Sequence, residues 1–182
     1  RRSSLGSAMA ACDLLVIGAG PGGGSAALHA TRLGLEVMIV EADPEVGVPV
    51  HCGECLSHLA VENLDLELPE HVIALHCDGI RIIFPDGTKK LLSEKGYVLE
   101  KHLFETWLCD EAVSAGASLH LSHRVTSMKR NYNSSNQFVN WEIDGRGIEF
   151  PIECTNPQFP TPSKVVPDTI LLPNDKALFL TE

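Results

Sequence analysis

Cations are scarce in this sequence. Lysine and arginine number 14 against 24 aspartates and glutamates, a formal net charge of −10. Such an acidic chain is poorly suited to non-specific contact with nucleic acid or with anionic membrane surfaces. Long hydrophobic runs are missing too, and nothing approaches the roughly 18 apolar residues of a spanning helix. The six cysteines (12, 52, 55, 77, 109 and 154) are scattered, with no second C-x-x-C to complete a zinc site. They read as reduced thiols of a cytoplasmic protein rather than as a disulfide framework. No internal repeat is visible.

What remains is ordinary for a globular protein: 182 residues, 44% hydrophobic and 21% charged, enough for one domain with a real core. Residues 1–11 are expected to be a disordered leader, with Met9 as the natural start. Arg1 and Arg2 hint at an export signal, but the apolar core is too weak and Asp13 follows too soon. Residues 12–154 are expected to form the domain. Residues 155–182 are expected to be a Pro-rich irregular tail, whose short apolar pieces, Thr169 to Leu172 and Ala177 to Leu180, could pack as extended strands.

The most informative stretch runs from Cys12 to Glu41. Leu14-Leu15-Val16-Ile17 is short and continuously apolar, the pattern of a strand buried on both faces. Gly18-Ala19-Gly20-Pro21-Gly22-Gly23 satisfies G-x-G-x-x-G. An alanine-rich helix is expected from Ser25 to Leu33, with Ala26, Ala30 and Leu33 on one face and Gly34 as its stop. A second apolar strand, Val37 to Val40, ends in the acid Glu41. Gly18 permits the tight turn, Gly20 lets backbone approach a pyrophosphate, and Gly23 lets helix and strand pack closely. The start of the helix offers unpaired N–H groups and partial positive charge to a diphosphate. Glu41 stands about twenty residues on, where an acid accepts ribose hydroxyls. The order of these parts predicts a dinucleotide site on an α/β fold.

From Ala42 to Ser57 two prolines and two glycines predict a loop of fixed shape. Residues 58–76 read as partly helical. Gly79 to Phe84 and Lys89 to Leu92 flank the turn signal Pro85-Asp86-Gly87, a hairpin. Tyr97-Val98-Leu99 leads into a helix from about Lys101 to Ala115, with Phe104, Trp107, Leu108, Ala112 and Ala115 as its apolar stripe and Gly116 as its cap. Ala117 to Leu121 reads as a third strand of the parallel sheet. Val125 to Ile152 reads as an antiparallel meander with a turn at Asp144-Gly145-Arg146-Gly147.

Three pieces together, the glycine fingerprint ending at Glu41, Gly47-Val48-Pro49-Val50-His51-Cys52-Gly53-Glu54, and Lys95-Gly96-Tyr97-Val98-Leu99-Glu100-Lys101, resemble the geranylgeranyl reductase family from about Asp13 to Ser127. The resemblance implies a Rossmann-like FAD-binding domain of the aromatic-hydroxylase type, a parallel sheet with helices plus an antiparallel β-meander. It implies FAD as cofactor and reduction of isoprenoid double bonds in lipid biosynthesis. A polyprenyl lipid or geranylgeranyl diphosphate would be the substrate, and NAD(P)H or ferredoxin the electron donor. A cytoplasmic location with transient peripheral membrane contact follows from such a substrate.

Residue by residue, the resemblance assigns Gly18, Gly20, Gly22 and Gly23 to the FAD pyrophosphate, and Glu41 with Ala42 to the adenosine ribose. Cys52, Gly53 and Cys55 fall at the ribityl and flavin end, Lys101 at the phosphates or ribityl, and the backbone at Arg124 and Val125 against the adenine. This chain departs from the family's pattern at His51 and Lys101, where the family has Arg, and at Cys55, where it has Gly. The Asp-Gly motif after the meander, the second flavin-binding stretch and the isoprenoid-binding domain are not in these residues, so a truncated N-terminal portion is expected.

Blander readings stand beside these. His51 is either the proton donor to the reduced alkene or a polar loop residue, and Cys52 with Cys55 either loop thiols beside a flavin or a redox dithiol; no metal site is expected. Cys12, Cys77 and Cys109 read as buried small hydrophobes. A related FAD-dependent monooxygenase or dehydrogenase, and a non-catalytic truncated dinucleotide-binding domain, remain alternative functions.

Overall fold

A computed structural model describes residues 10–50, 52–135, 138–146, 152–154, 169–172 and 176–180. In chain order the elements are β1 (Ala10–Cys12), β2 (Leu14–Ile17), α1 (Pro21–Arg32), β3 (Val37–Val40), β4 (Cys55–Ser57) and α2 (His58–Asn63). A 3-10 turn at Glu70–Val72 then leads to β5 (Ile73–Cys77), β6 (Ile80–Ile83), β7 (Lys89–Leu92), β8 (Gly96–Leu99) and α3 (Lys101–Ser114). The last elements are β9 (Ser118–His120), β10 (Arg124–Tyr132), β11 (Phe138–Arg146), β12 (Ile152–Cys154), β13 (Thr169–Leu172) and β14 (Lys176–Leu180).

The central sheet has the order β13-β14-β2-β3-β9, and every pairing from β14 to β9 is parallel. All four residues of β3 and the first three of β2 are buried, as the continuous apolar runs predict. The apolar tail pieces are therefore strands, and β14 sits directly beside β2 with Phe179 opposite Val16. A second sheet, β1-β12-β11-β10, carries the expected meander. The third, β4-β8-β5, is antiparallel, and β6 with β7 forms a separate hairpin.

Helices α1 and α3 pack together over the parallel sheet. Leu28, Ile39 and Leu108 are fully buried there, each contributing about 2 kcal/mol by leaving water. Gly24 sets the approach of the two helices, because a Cβ on it would stand 2.9 Å from Leu108 Cβ.

The sequence reading needs correction in several places. Helix α1 starts at Pro21 rather than Ser25, since proline is tolerated at the first helical position and Gly24 N–H already bonds Gly20 O at 2.8 Å. Its buried face is Ala27, Leu28, Ala30 and Thr31, while Leu33 is 73% exposed; the glycine crossing with α3 selects that face. Ala115 is likewise exposed at the end of α3. Cys55 to Ser57 and Gly96 to Leu99 are paired strands rather than loop and helix lead-in, and residues 73–76 belong to β5 rather than to a helical segment. Asp144, Gly145 and Arg146 stay in β11, opposite Ser127, Val125 and Arg124, because a bulge between Val125 and Ser127 absorbs the irregularity.

Candidate functional site

At the carboxyl ends of β2 and β3 the backbone opens into a cleft of ≈ 630 Å³, within the size range of ligand sites and at the edge of the sheet where open α/β folds bind them. Gly18 has φ +96 and donates its N–H to Val40 O at 2.8 Å, which ties the turn to the neighbouring strand. Gly20 caps α1 without any side-chain hydrogen bond, so the first N–H groups of the helix have no side-chain acceptor at their cap. Gly23 lies beneath the turn, and a Cβ there would fall 2.0 Å from Gly18 O. Glycine turn, bare helix start and partial positive charge suit a diphosphate.

Glu41 closes one side. Its Oε2 accepts the Ala19 N–H at 2.6 Å and its Oε1 the Asp43 N–H at 2.9 Å. Its backbone is fixed by Glu41 N–H to His120 O at 2.8 Å and by His123 N–H to Glu41 O at 2.7 Å. The third strand thus holds the acid in place. Arg124 stands 3.6 Å from Asp43 Oδ1 at the rim. His120, beside His123, is pushed below the usual histidine range by burial and by that neighbour.

The opposite wall is the loop after β3 together with the start of α3. Gly47 has φ +75, and a Cβ on it would meet His102 Cα at 2.7 Å and Glu105 Oε2 at 2.8 Å. The loop therefore lies directly on the helix, and Val48–Pro49 is a cis peptide. Lys101 Nζ pairs with Glu105 Oε1, one helical turn on, with side chains only 17% and 4% exposed. Cys52 lines the cleft, while Gly53, Glu54 and Cys55 carry the loop into β4. Glu54 takes φ +62, and its carbonyl accepts the Leu99 N–H at 2.9 Å, hanging the loop on β8.

Of the residues singled out in the sequence, Gly18, Gly20, Glu41, Ala42, Cys52, Lys101 and Val125 all line this cleft. Gly22, Gly23, Gly53 and Cys55 do not; Gly23 acts from below, Gly22 and Gly53 adjoin the lining residues Pro21 and Cys52, and Cys55 lies in β4. His51 lies outside the described residues. Sequence reasoning passed over Asp43, Gly47, Glu105 and His123, which also line it. The spacing Lys101–Glu105 was the available signal for Glu105, since residues four apart share a helix face. Cys12 and Cys109 are buried as expected, whereas Cys77 is only half-buried.

The sequence model of the family described as FAD dependent oxidoreductase matches residues 13–135, a stretch that contains all of these cleft residues. Digeranylgeranylglycerophospholipid reductase 1 of Methanothermobacter thermautotrophicus is 36% identical over 125 residues, 65% of this chain and 32% of that protein. The digeranylgeranylglycerophospholipid reductase of Methanothrix thermoacetophila is 38% identical over 125 residues, with the same two shares. A geranylgeranyl bacteriochlorophyll reductase-like protein from Thermoplasma acidophilum superposes with a TM-score of 0.71 at 29% identity, covering 82% of this chain and 38% of its own. The chain thus spans about a third of the length of the curated relatives it matches. With a glycine turn, an uncapped helix start and a strand-end acid all inside the matched stretch, the chain belongs to the FAD dependent oxidoreductase family, whose cofactor is FAD.

Proposed function

We propose that this chain is the FAD-binding portion of a reductase that saturates double bonds in geranylgeranyl chains of lipids. One observation carries the reading. The Gly47-to-Glu54 loop, whose residues resemble those of geranylgeranyl reductases, is clamped between α3 and β8 as the wall of the cleft opposite the glycine turn. The similarity to two digeranylgeranylglycerophospholipid reductases supports the lipid substrate.

The residues present fit FAD. A diphosphate needs donors and a backbone it can approach, and the Gly18–Gly20 turn with the bare start of α1 offers both. Glu41 retains lone pairs beyond its two backbone bonds and would accept the adenosine ribose hydroxyls, with Ala42 beside it. The Val125 backbone would flank the adenine. Gly22 would add its N–H at the phosphates, over the packing made by Gly23. Lys101 would neutralise phosphate charge, held on line by Glu105. Cys52, Gly53 and Cys55 would border the flavin end.

Reduced FAD supplies hydride for an alkene carbon. The chain's own share is to orient the cofactor, keep water from the cleft and bring a proton donor near. His51 would be that donor, with Cys52 next to it. The electron donor would be NAD(P)H or ferredoxin, and the substrate a polyprenyl lipid or geranylgeranyl diphosphate. A lipid substrate suggests a cytoplasmic protein in transient contact with a membrane surface. Among the described residues no helix is long and apolar enough to cross one.

The test has two stages. The purified chain is titrated with FAD and with ADP by calorimetry while the visible absorbance of flavin is followed. The reading expects both to bind and Glu41→Ala to weaken both. The FAD-loaded chain is then reduced chemically and given digeranylgeranylglycerophospholipid, and mass spectrometry looks for the gain of H2 per double bond. A folded chain that binds neither FAD nor ADP overturns the cofactor assignment; FAD binding without lipid reduction, in a version joined to the part of a relative outside the matched stretch, overturns the substrate.

A further inference from the structure

Apolar side chains left in water gather in one place. Of the fourteen large hydrophobics that are exposed among the described residues, five belong to the β6–β7 hairpin and its turn: Ile80, Ile82, Ile83, Phe84 and Leu91. Single exposed apolar residues are normal on a surface, whereas a contiguous group marks a contact. The hairpin forms a sheet of its own, with β6 bonded to β7 alone. A two-stranded ribbon is marginal in water without further packing. Its turn is nevertheless closed: Phe84 N–H bonds Thr88 O at 2.8 Å, Gly87 N–H bonds Phe84 O at 2.9 Å, and Asp86 Oδ1 accepts the Thr88 N–H at 2.8 Å.

The register sorts the side chains onto two faces. Arg81 stands opposite Leu91 and Ile83 opposite Lys89, and residues two apart in a strand share a face. One face therefore carries Arg81, Ile83, Lys89 and Leu91, all exposed, with Ile83 at 63% and Leu91 at 66%. Each aliphatic faces a cation across the ribbon. The other face, with Ile80, Ile82, Lys90 and Leu92, is better covered. Charge here also runs against the rest of the chain. From Ile80 to Leu92 three cations, Arg81, Lys89 and Lys90, stand against Asp86 alone, in a chain of net charge −10. Among the described residues none of these three cations is ion-paired.

We propose that the Arg81–Ile83–Lys89–Leu91 face of the hairpin docks on an anionic phospholipid surface. The ribbon lies flat, with Ile83 and Leu91 dipping below the headgroups while Arg81 and Lys89 stay at the level of the phosphates. Asp86 at the turn opposes tip-first insertion, because a carboxylate is costly to bury in hydrocarbon. A second copy is the poorer occupant, since a two-fold contact would set the same cationic face against itself. The docking stands on the hairpin alone; its service to catalysis rests on the reading of the substrate as a lipid.

The experiment floats the full chain with vesicles of phosphatidylcholine and with vesicles that also contain phosphatidylglycerol. Binding should be about fivefold or more stronger to the anionic vesicles and should weaken as salt rises. Arg81→Glu with Lys89→Glu should lower it about tenfold or more, and Ile83→Ser with Leu91→Ser about fivefold. Arg32→Glu, at an exposed cation at the end of α1, should leave it unchanged. Circular dichroism establishes that the variants are folded, and equal ADP affinity that their clefts are intact. No binding to anionic vesicles, equal binding to both kinds, or a loss in Arg32→Glu as large as in the double glutamate variant overturns the proposal. A dimer in sedimentation that Ile83→Ser with Leu91→Ser dissolves gives the face to a second copy and also overturns it. So does loss of vesicle binding when the chain is joined to the part of a relative outside the matched stretch, which would then cover the face. Vesicle binding by that joined version without lipid reduction strikes the substrate reading and leaves the docking standing.

Discussion

Glu41 Oε2 accepts the Ala19 N–H at 2.6 Å, so the acid that ends β3 also braces the glycine turn that ends β2. One carboxylate ties the glycine turn to the start of the loop after β3, because its other oxygen takes the Asp43 N–H. Glu41→Gln keeps one acceptor and turns an amide N–H toward a backbone donor. Glu41→Ala leaves both donors without an acceptor. Each lost partner costs about 1–3 kcal/mol when the donor stays dry. Urea melts should therefore rank wild type above Gln above Ala, and calorimetry with ADP should show the same order of affinity. A Gln variant as stable and as tight as wild type would remove the bracing role.

A fingerprint glycine and a loop glycine differ in what an added side chain would meet, and substitution separates them. Gly23→Ala puts a Cβ 2.0 Å from Gly18 O, a backbone atom that can yield only by moving the turn. The expected loss is about 3 kcal/mol, together with loss of ADP binding. Gly53→Ala meets nothing within 4 Å and should leave the melting temperature within a degree or two of wild type. Side-by-side thermal melts of the two variants decide whether packing under the turn, rather than loop freedom, is what the third fingerprint glycine supplies.

The Cys109 thiol is pushed up to about 12, first by burial and then by Asp110, Glu105 and Glu41. The unfolded chain gives up that proton near 9, the folded chain only near 12. Between those values the folded state binds more protons, so stability falls as pH rises, by about 1.4 kcal/mol per pH unit from this group. Denaturant melts just below 9 and midway through that window should show a drop in wild type. In Cys109→Ala the drop should be smaller by that amount. An equal drop in both proteins would show that other groups carry the pH dependence.

The Gly18–Glu41 unit is readable from residues alone because each of its parts is local: an apolar run, a spaced set of glycines, a terminal acid. The tail strand β14 is not, since its place beside β2 depends on a pairing across more than a hundred and fifty residues that no period in the sequence encodes. The face of α1 was misread for a different reason. Leu33 is more apolar than Ala27, but it stands at the C-cap, past the last turn of α1, so it stays in water while Ala27 and Leu28 go inside. Glu105 was missed because an acid in a helix usually faces solvent; only the three-dimensional approach of Gly47 reveals why this one is covered.

That buried carboxylate also yields the sharpest test of the cleft's far wall. Glu105 has a side chain 4% exposed and is paired with Lys101, a cation that lines the cleft. Removing the cation alone strands a buried negative charge, which costs about 3–5 kcal/mol. Lys101→Met should therefore be strongly destabilised, whereas Lys101→Met with Glu105→Gln should recover most of the loss, because the charge is then gone. Lys101→Arg keeps the pair and should keep both stability and FAD affinity. FAD affinity should fall in the double variant even where stability returns, since the cleft has lost a lining cation. A double variant as unstable as Lys101→Met would mean that the stranded charge is not the cause. Recovery of stability together with full FAD affinity would mean that Lys101 serves Glu105 alone and has no part in holding the cofactor.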